Sequence, residues 1–130
     1  MTEHVLVNDA DGVRTITLNR ADKRNALTAA MYAAMADALK AAPDAGIRAV
    51  LFQGAGGFFT GGNDIGDFLA NPPAGDDAPV FQFLFAIATT PLPLVAAVEG
   101  MAVGVGTTML LHCDLVYASP DARLHVPFVD

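Results

Sequence analysis

The 130-residue sequence predicts an α/β protein with a largely parallel sheet. Three observations carry this prediction. Short β-branched runs alternate with longer alanine- and leucine-rich segments of helical spacing. Hydrophobic residues make up 53% of the chain, which is enough to build a core. Twice, a buried strand is followed by a glycine-containing loop and then directly by the start of a helix, which is the order expected of parallel β/α units.

The first third of the chain predicts a hairpin followed by a helix. The β-branched runs "HVLVND" and "VRTITLN" flank the turn signal "ADG", which is typical of two paired strands. The segment "LTAAMYAAMADALKAA" carries apolar residues every three or four positions. It therefore predicts a helix with Thr28 as N-cap and Pro43 beyond its end.

The rest of the chain continues the alternation. "IRAVLFQG" predicts a buried strand, "NDIGDFLAN" the start of a short helix and residues 71–79 a connector rich in Pro, Gly and Asp. "VFQFLFAIATT" predicts a helix that ends before Pro91. "LPLVAAVEG" and "DLVYAS" predict two further strands, and "MAVGVGTTMLLHC" between them predicts a helix that opens on glycines.

Composition excludes several classes of function. A net charge of −7 argues against a general nucleic-acid surface. The chain has no apolar run long enough to span a bilayer and no secretory signal at its start, so a membrane role is not expected. The single cysteine, Cys113, excludes an internal disulfide; we expect it to be a buried small hydrophobe in a cytoplasmic protein. The length predicts one domain over residues 1–130.

Basic residues are concentrated in one segment of this acidic chain. Arg14, Arg20, Lys23 and Arg24 lie within eleven residues, and only three other basic residues are present. A solvated turn is one interpretation of this cluster. A local anion site is the other, and the density of positive charge favours it.

The stretch "GAGGFFTGGNDIGDF" (residues 54–68) contains six glycines, which fit a turn, a phosphate cradle or an exposed backbone N–H. A dinucleotide fingerprint fails because Phe58 and Phe59 stand where the third glycine and the helix start belong. A P-loop sequence is absent. Because helix N-termini expose free N–H groups, the two glycine loops together predict a site for an anion or a developing oxyanion.

Other chemistry finds little support. The three histidines, His4, His112 and His125, share no metal-ligand spacing with Cys113, so no metal site is predicted. The only serine, Ser119, precedes a proline and predicts no nucleophilic triad. The acids near the two loops fit helix N-termini or turns; they are Asp64, Asp67, Glu99 and Asp114.

Three motifs in order and spacing resemble the enoyl-CoA hydratase/isomerase, or crotonase, superfamily. They are "LNRADKRNALT" (18–28), "FFTGGNDI" (58–65) and "PLVAAVEGMAVGVGTTMLLHCDLVYAS" (93–119). The resemblance implies a ββα-spiral fold that binds acyl-coenzyme A thioesters, without a prosthetic group, and assembles as a homotrimer or hexamer. It further implies that two backbone N–H groups, those of Asn63 and Val105, stabilise a thioester enolate.

By the same resemblance, Lys23 and Arg24 would meet the phosphates of coenzyme A, and the backbone of Ala26 would lie near the adenine. Residues of the glycine loop would line the pantetheine and thioester; they are Gly61, Gly62, Asp64 and Ile65. Three aromatic residues could wall the acyl chain, although their helical spacing also fits plain core; they are Phe68, Phe81 and Phe85.

The departures from the family pattern bear on the reaction. The two glutamates of hydratases would fall on Thr108 and Phe128, which cannot act as acid or base. "TGGNDIGDF" and "ARLHVPFVD" instead resemble the Δ3,Δ2-enoyl-CoA isomerase branch, whose single glutamate follows the "PF" segment. We therefore expect an isomerase whose C-terminal helices lie beyond residue 130. A catalytically silent acyl-CoA-binding module and a hydratase are the alternatives.

Overall fold

The computed structural model of the protein describes residues 3–126. The strands are β1 Val5–Ala10, β2 Val13–Leu18, β3 Ala49–Gly54, β4 Leu94–Val98, β5 Met101–Val103, β6 Leu115–Ala118 and β7 Arg123–His125. The helices are α1 Ala29–Ala41, α2 Ile65–Ala70, α3 Pro79–Thr89 and the single turn α4 Val105–Thr108. Short 3-10 turns cover Ala21–Lys23, Pro43–Ala45 and Met109–His112.

The main sheet has five strands in the order β1-β2-β3-β4-β6. β1 and β2 form the predicted hairpin, and its turn residues Asp11 and Gly12 have φ angles of 55° and 81°. Positive φ at both positions is the type I′ geometry that matches the twist of paired strands. Every other pairing in this sheet is parallel, as the alternation of strands and helices predicts.

Helices α1 and α3 pack together over one face of the sheet. Thr28 caps α1 as predicted, its Oγ1 accepting the Met31 N–H at 3.2 Å. The ring of Phe83 in α3 lies 5.6 Å from that of Tyr32 and meets Phe52 of β3 edge-on at 6.3 Å, centroid to centroid. These aromatic contacts fix α1, α3 and the sheet relative to one another.

A second, smaller layer runs beside the main sheet. β5 pairs with β7 in parallel, Thr60 bridges to Ala102 of β5, and Leu27 bridges to Asn63. Each turn of the chain therefore contributes one segment to the main sheet and one to this layer. The result is a spiral of β-β-α units that brings residues 25–27, 60–63 and 101–105 side by side.

One helix prediction needs correction. The segment "MAVGVGTTMLLHC" was expected to be helical from its start, but Met101–Val103 is strand β5. The backbone there is extended because Met101 accepts the N–H groups of Phe59 and Thr60 at 3.2 and 3.0 Å. The helix begins only at Val105 and changes to a 3-10 turn at Met109.

Cys113 is half-buried rather than fully buried as expected. It packs against the edge of the core, and its thiol lies 3.7 Å from the Met109 carbonyl oxygen. Within residues 3–126, no helix combines the length and hydrophobicity needed to cross a bilayer. The same stretch of chain holds no group of three or more His, Cys, Asp or Glu side chains placed to bind a metal ion.

Candidate active site

The glycine loop of residues 54–62 lies against strand β5. Gly62 has a φ of 93°, and a Cβ at this position would sit 3.0 Å from the Val103 carbonyl oxygen. The Gly62 N–H donates to Thr60 Oγ1 at 3.1 Å. Glycine is therefore needed at this position both for its backbone angle and for the close approach of the two segments.

The second glycine loop opens helix α4. Gly104, with φ 60° and ψ −119°, is its N-cap, and Val105 is its first residue. A Cβ on Gly106 would collide with the methyl group of Thr60, so α4 also packs directly on the first loop. The two loops that the sequence singled out are in contact.

A cavity of about 400 Å³ lies where the loops meet. It is lined by five of the site residues chosen from the sequence, namely Gly61, Gly62, Asn63, Ile65 and Val105. Among residues 3–126, no protein acceptor takes the backbone N–H of Asn63 or that of Val105. Two residues of the cavity lining therefore have backbone N–H groups without an acceptor in this part of the chain.

Asp64 does not line this cavity. Its carboxylate caps helix α2 by accepting the Asp67 N–H at 2.9 Å, and it pairs with Arg20 at 2.6 Å. The Asp67 N–H first, and the Arg20 guanidinium second, hold the pKa of Asp64 below its ordinary value. Asp64 thus ties the basic segment to the start of α2.

The basic segment is joined to the glycine loop by backbone hydrogen bonds. The Gly61 N–H donates to the Arg24 carbonyl at 2.9 Å, and the Leu27 N–H donates to Gly62 at 2.7 Å. The side chains of Lys23 and Arg24 are exposed and line neither cavity described here. Neither takes part in an ion pair with another residue of the 3–126 stretch.

Ala26 already uses both of its backbone polar groups within the protein. Its N–H donates to the Lys23 carbonyl at 3.0 Å, and its carbonyl accepts from Arg20 Nη1 at 3.1 Å. A carbonyl oxygen has two lone pairs, so the Ala26 oxygen retains capacity for one further donor.

Asn25 is the residue that holds the two segments together, and sequence reasoning overlooked it. It is fully buried with a left-handed φ of 55°. Its Nδ2 lies 2.9, 3.1 and 3.2 Å from three carbonyl oxygens of the glycine loop, and its Oδ1 accepts the Arg20 N–H at 2.7 Å. The loop carbonyls belong to Ala55, Phe58 and Phe59. Asparagine tolerates left-handed backbone, which is the one local signal that could have identified it.

A second cavity, of about 320 Å³, lies between α1, α2 and the connector before α3. Phe68 lines it, as does Leu27. Tyr32, Asn63 and Val80 line both cavities and so form their common wall.

Phe81 and Phe85 line neither cavity, and the alternative that they are core residues is wrong. Their side chains are 46% and 68% exposed on the outer face of α3. The residues one position earlier, Val80 and Leu84, have the same four-residue spacing and line the 400 Å³ cavity. A shift of one residue rotates the helix face by about 100°, and sequence spacing alone cannot select between the two faces.

Tyr32 projects from α1 to the boundary of the two cavities. Its hydroxyl donates a hydrogen bond to Asn63 Oδ1. Burial raises the pKa of Tyr32 well above its ordinary value, so the phenol is neutral. The alanine-rich helical pattern gave no indication of this role.

Carboxylates are absent from the described lining of the 400 Å³ cavity. Thr108, at the position of a hydratase glutamate, lies on its wall and donates to the Val105 carbonyl at 3.3 Å. Asp67 lines the smaller cavity, where its Oδ2 accepts the Ala29 N–H at 2.8 Å. Phe128, the other glutamate position, lies outside the described residues.

Comparison with known proteins gives a consistent result. The family described as enoyl-CoA hydratase/isomerase matches residues 8–130. The chain is 37% identical to enoyl-CoA delta isomerase 2 of Rattus norvegicus, over 95% of this chain and 33% of the relative. It is 36% identical to the enoyl-CoA hydratase ACTT3 of Alternaria alternata, over 93% of this chain and 42% of the relative.

Among solved structures, OdaA of Pseudomonas aeruginosa superimposes with a TM-score of 0.92 at 51% identity, covering 98% of this chain and 52% of that one. The chain thus spans between a third and about half of the length of these relatives. The relatives' names include both isomerases and hydratases, so their names do not choose one reaction. The spiral of β-β-α units is the crotonase fold, and the chain belongs to the enoyl-CoA hydratase/isomerase family.

Proposed function

We propose that the protein binds an enoyl-CoA thioester and isomerises its double bond, with the thioester oxygen held by the backbone N–H groups of Asn63 and Val105. The single observation that carries this proposal is that both N–H groups lack a protein acceptor within residues 3–126 and belong to segments lining one cavity. Two fixed donors directed at one oxygen are the arrangement that stabilises an enolate.

The energetic contribution of such a pair is large. Removing a proton from C2 of a 3-enoyl thioester places negative charge on the thioester oxygen. Each donor that meets this charge contributes roughly 3 kcal/mol to the transition state. Because Gly62 packs closely against Val103 and α4 packs on the first loop through Gly106 and Thr60, the donors need little reorganisation as the charge develops.

Isomerisation fits this site better than hydration does. One base suffices, because the same group takes the C2 proton and returns it at C4 while the double bond moves from C3–C4 to C2–C3; the family resemblance assigns this base to the glutamate that follows the "PF" segment. Hydration requires both activation of water and delivery of a proton. Thr108, at the first glutamate position, has only a neutral hydroxyl, which supports the isomerase assignment.

We assign the remaining parts of the coenzyme A thioester to the basic segment and the glycine loop. We assign the coenzyme A phosphates to Lys23 and Arg24, whose exposed charges face solvent beside the glycine loop. The Ala26 carbonyl is assigned to the adenine amine, since it retains a free lone pair. The pantetheine and thioester then pass Gly61, Gly62 and Ile65, and the acyl group lies in the 400 Å³ cavity, on the other side of the shared wall from Phe68.

A second candidate is a catalytically silent acyl-CoA-binding module. The observation that favours it is the absence of a carboxylate from the described lining of the 400 Å³ cavity. Binding would then need the two N–H donors and the basic segment but no base. The two candidates differ in turnover and agree on binding.

Two measurements test the proposal. Ultraviolet absorbance monitors the conversion of a 3-enoyl-CoA to the conjugated 2-enoyl-CoA, and calorimetry measures the binding of a saturated thioester. Val105→Pro removes one donor, whereas the matched control Val105→Ala keeps it. Proline is compatible with position 105 because this position is the first residue of α4. The preceding residue, Gly104, has φ 60° and ψ −119°, and a glycine in this conformation tolerates a following proline.

In the full-length protein, the expected result is turnover by the wild type and by Val105→Ala, with a loss of about a hundredfold in Val105→Pro. Binding without turnover would select the silent module. Equal turnover by the proline and alanine variants would exclude Val105 as a donor. Preference for NAD over coenzyme A in calorimetry would contradict both candidates.

We further propose that residues 1–130 form one spiral-core domain, that the whole protein assembles as a homotrimer or hexamer, and that it acts in the cytoplasm on a coenzyme A substrate without a prosthetic group.

A further inference from the structure

The two cavities share a wall in which one side chain is held firmly. Tyr32 is only 4% exposed, and its ring is tilted against that of Phe83 at a centroid distance of 5.6 Å. A side chain packed in this way keeps one rotamer. The hydroxyl of Tyr32 is therefore fixed at the boundary.

That hydroxyl holds a residue of the glycine loop. Tyr32 donates to Oδ1 of Asn63, a residue that lines the larger cavity. Asn63 is otherwise exposed, so this hydrogen bond is what draws its side chain towards α1. With Val80, the two side chains are the residues common to both cavities.

The cavities differ in the surface that they offer. The larger is lined by residues of both glycine loops, whereas the lining of the smaller is mostly apolar and includes Leu27, Phe68 and Pro72. For an acyl chain whose thioester lies at Asn63 and Val105, the direct way into the smaller cavity crosses the wall that Tyr32, Asn63 and Val80 share. Burying the chain there would gain apolar contact at the cost of that hydrogen bond.

We propose that the hydrogen bond between Tyr32 and Asn63 is a specificity-determining latch, which confines the acyl group to the larger cavity and so favours short-chain thioesters. Tyr32→Phe keeps the ring packed on Phe83 but opens the latch. Longer acyl chains then extend past Asn63 into the smaller cavity. This inference rests on the proposed binding of a coenzyme A thioester.

The test measures calorimetric affinities for butanoyl-CoA and decanoyl-CoA, which do not depend on turnover. In Tyr32→Phe, the ratio of decanoyl to butanoyl affinity should rise about tenfold, as expected when roughly two more methylene groups become buried. Tyr117→Phe is the matched control, because it removes the hydroxyl of an exposed tyrosine on β6. It should leave the ratio unchanged.

Asn63→Ala removes the acceptor and keeps the backbone N–H, so it should shift the ratio in the same direction. The double variant should then shift it no further, because both changes remove one interaction. An unchanged ratio in Tyr32→Phe, or additive shifts in the double variant, would overturn the latch while leaving thioester binding intact. Failure of the wild-type protein to bind either thioester would overturn the proposed function and the latch together.

Discussion

The guanidinium Nη1 of Arg20 lies 2.6 Å from Oδ2 of Asp64, and the two side chains are 15% and 20% exposed. This ion pair joins the basic segment to the start of α2, next to Asn63, which lines the larger cavity. Together with the Asp67 N–H, it holds the pKa of Asp64 below its ordinary value of 3.8. Ionised Asp64 therefore stabilises the folded state.

This relationship predicts a specific acid dependence of stability. Above about pH 5 the carboxylate is ionised in both states and its contribution is complete. As the pH falls further, the unfolded chain binds the proton first, so the contribution shrinks and is lost below the folded pKa. Asp64→Asn keeps an N-capping side chain but removes this dependence, which urea unfolding over an acidic pH series measures.

Asp37→Asn is the control, since Asp37 is an exposed acid on α1. The free energy of unfolding of Asp37→Asn should decrease as steeply with falling pH as that of the wild type. If Asp64→Asn shows the same slope as Asp37→Asn, the assigned role of Asp64 is wrong.

Replacing Asn25 should lower the stability of the fold by a large amount. Asn25→Ala leaves three loop carbonyls and the Arg20 N–H without their partner and places alanine at a left-handed φ. We expect a loss of roughly 3–5 kcal/mol in the free energy of unfolding. The exposed residue Asn8 on β1 gives the control, because Asn8→Ala should cost less than about 0.5 kcal/mol. Similar costs at both positions, measured by chemical denaturation, would contradict the role of Asn25.

The energetic cost of the close contact between Gly62 and Val103 can be measured separately from the cost of the positive φ at Gly62. Gly46 also has a positive φ, 78°, but a Cβ there meets nothing within 4 Å. Gly46→Ala should therefore cost about 1–2 kcal/mol for the angle alone. Gly62→Ala should cost about 1–3 kcal/mol more, because its Cβ presses on the Val103 carbonyl. Thermal unfolding of the two variants provides the comparison, and equal losses would show that the approach is not tight.

Cys113 should react slowly with alkylating reagents. Burial, and then the negative charge of Asp114, raise the pKa of its thiol to about 11. The thiolate fraction at neutral pH is then roughly a hundredfold below that of a free cysteine, and only the thiolate reacts. Mass spectrometry of iodoacetamide-treated protein should show fast modification in urea and little without it. Equal rates in the two conditions would mean that the thiol is freely exposed.

The main sheet could be predicted from the sequence because each strand or helix carries its own local signal. The turn at Asp11 and Gly12, the cap at Thr28 and the β-branched runs all act within a few residues. Strand β5 could not be predicted in this way. Its conformation is set by hydrogen bonds to Thr60, some forty residues earlier in the chain, and a run such as "MAV" has no local preference that excludes a helix.

In the candidate site, too, residues with a local sequence signal were predicted and residues that depend on distant partners were missed. Asn63 and Val105 were identified from family motifs, and the structure places both at one cavity. Tyr32 and Asn25 were missed because their importance depends on partners distant in sequence, at Asn63 and in the glycine loop. The alternative that Phe81 and Phe85 are core residues was wrong because α3 is apolar on most of its faces, so hydrophobicity did not show which face points inward.

The central claim is that the Asn63 and Val105 N–H groups bind a thioester oxygen, and infrared difference spectroscopy tests it most directly. A saturated acyl-CoA labelled with carbon-13 at the thioester carbonyl reports the hydrogen bonds to its oxygen without any need for turnover. We predict a carbonyl stretch at lower frequency on the wild-type protein and on Val105→Ala than in water, and a smaller shift on Val105→Pro. The same frequency on the alanine and proline variants, or no shift on binding, would contradict the account.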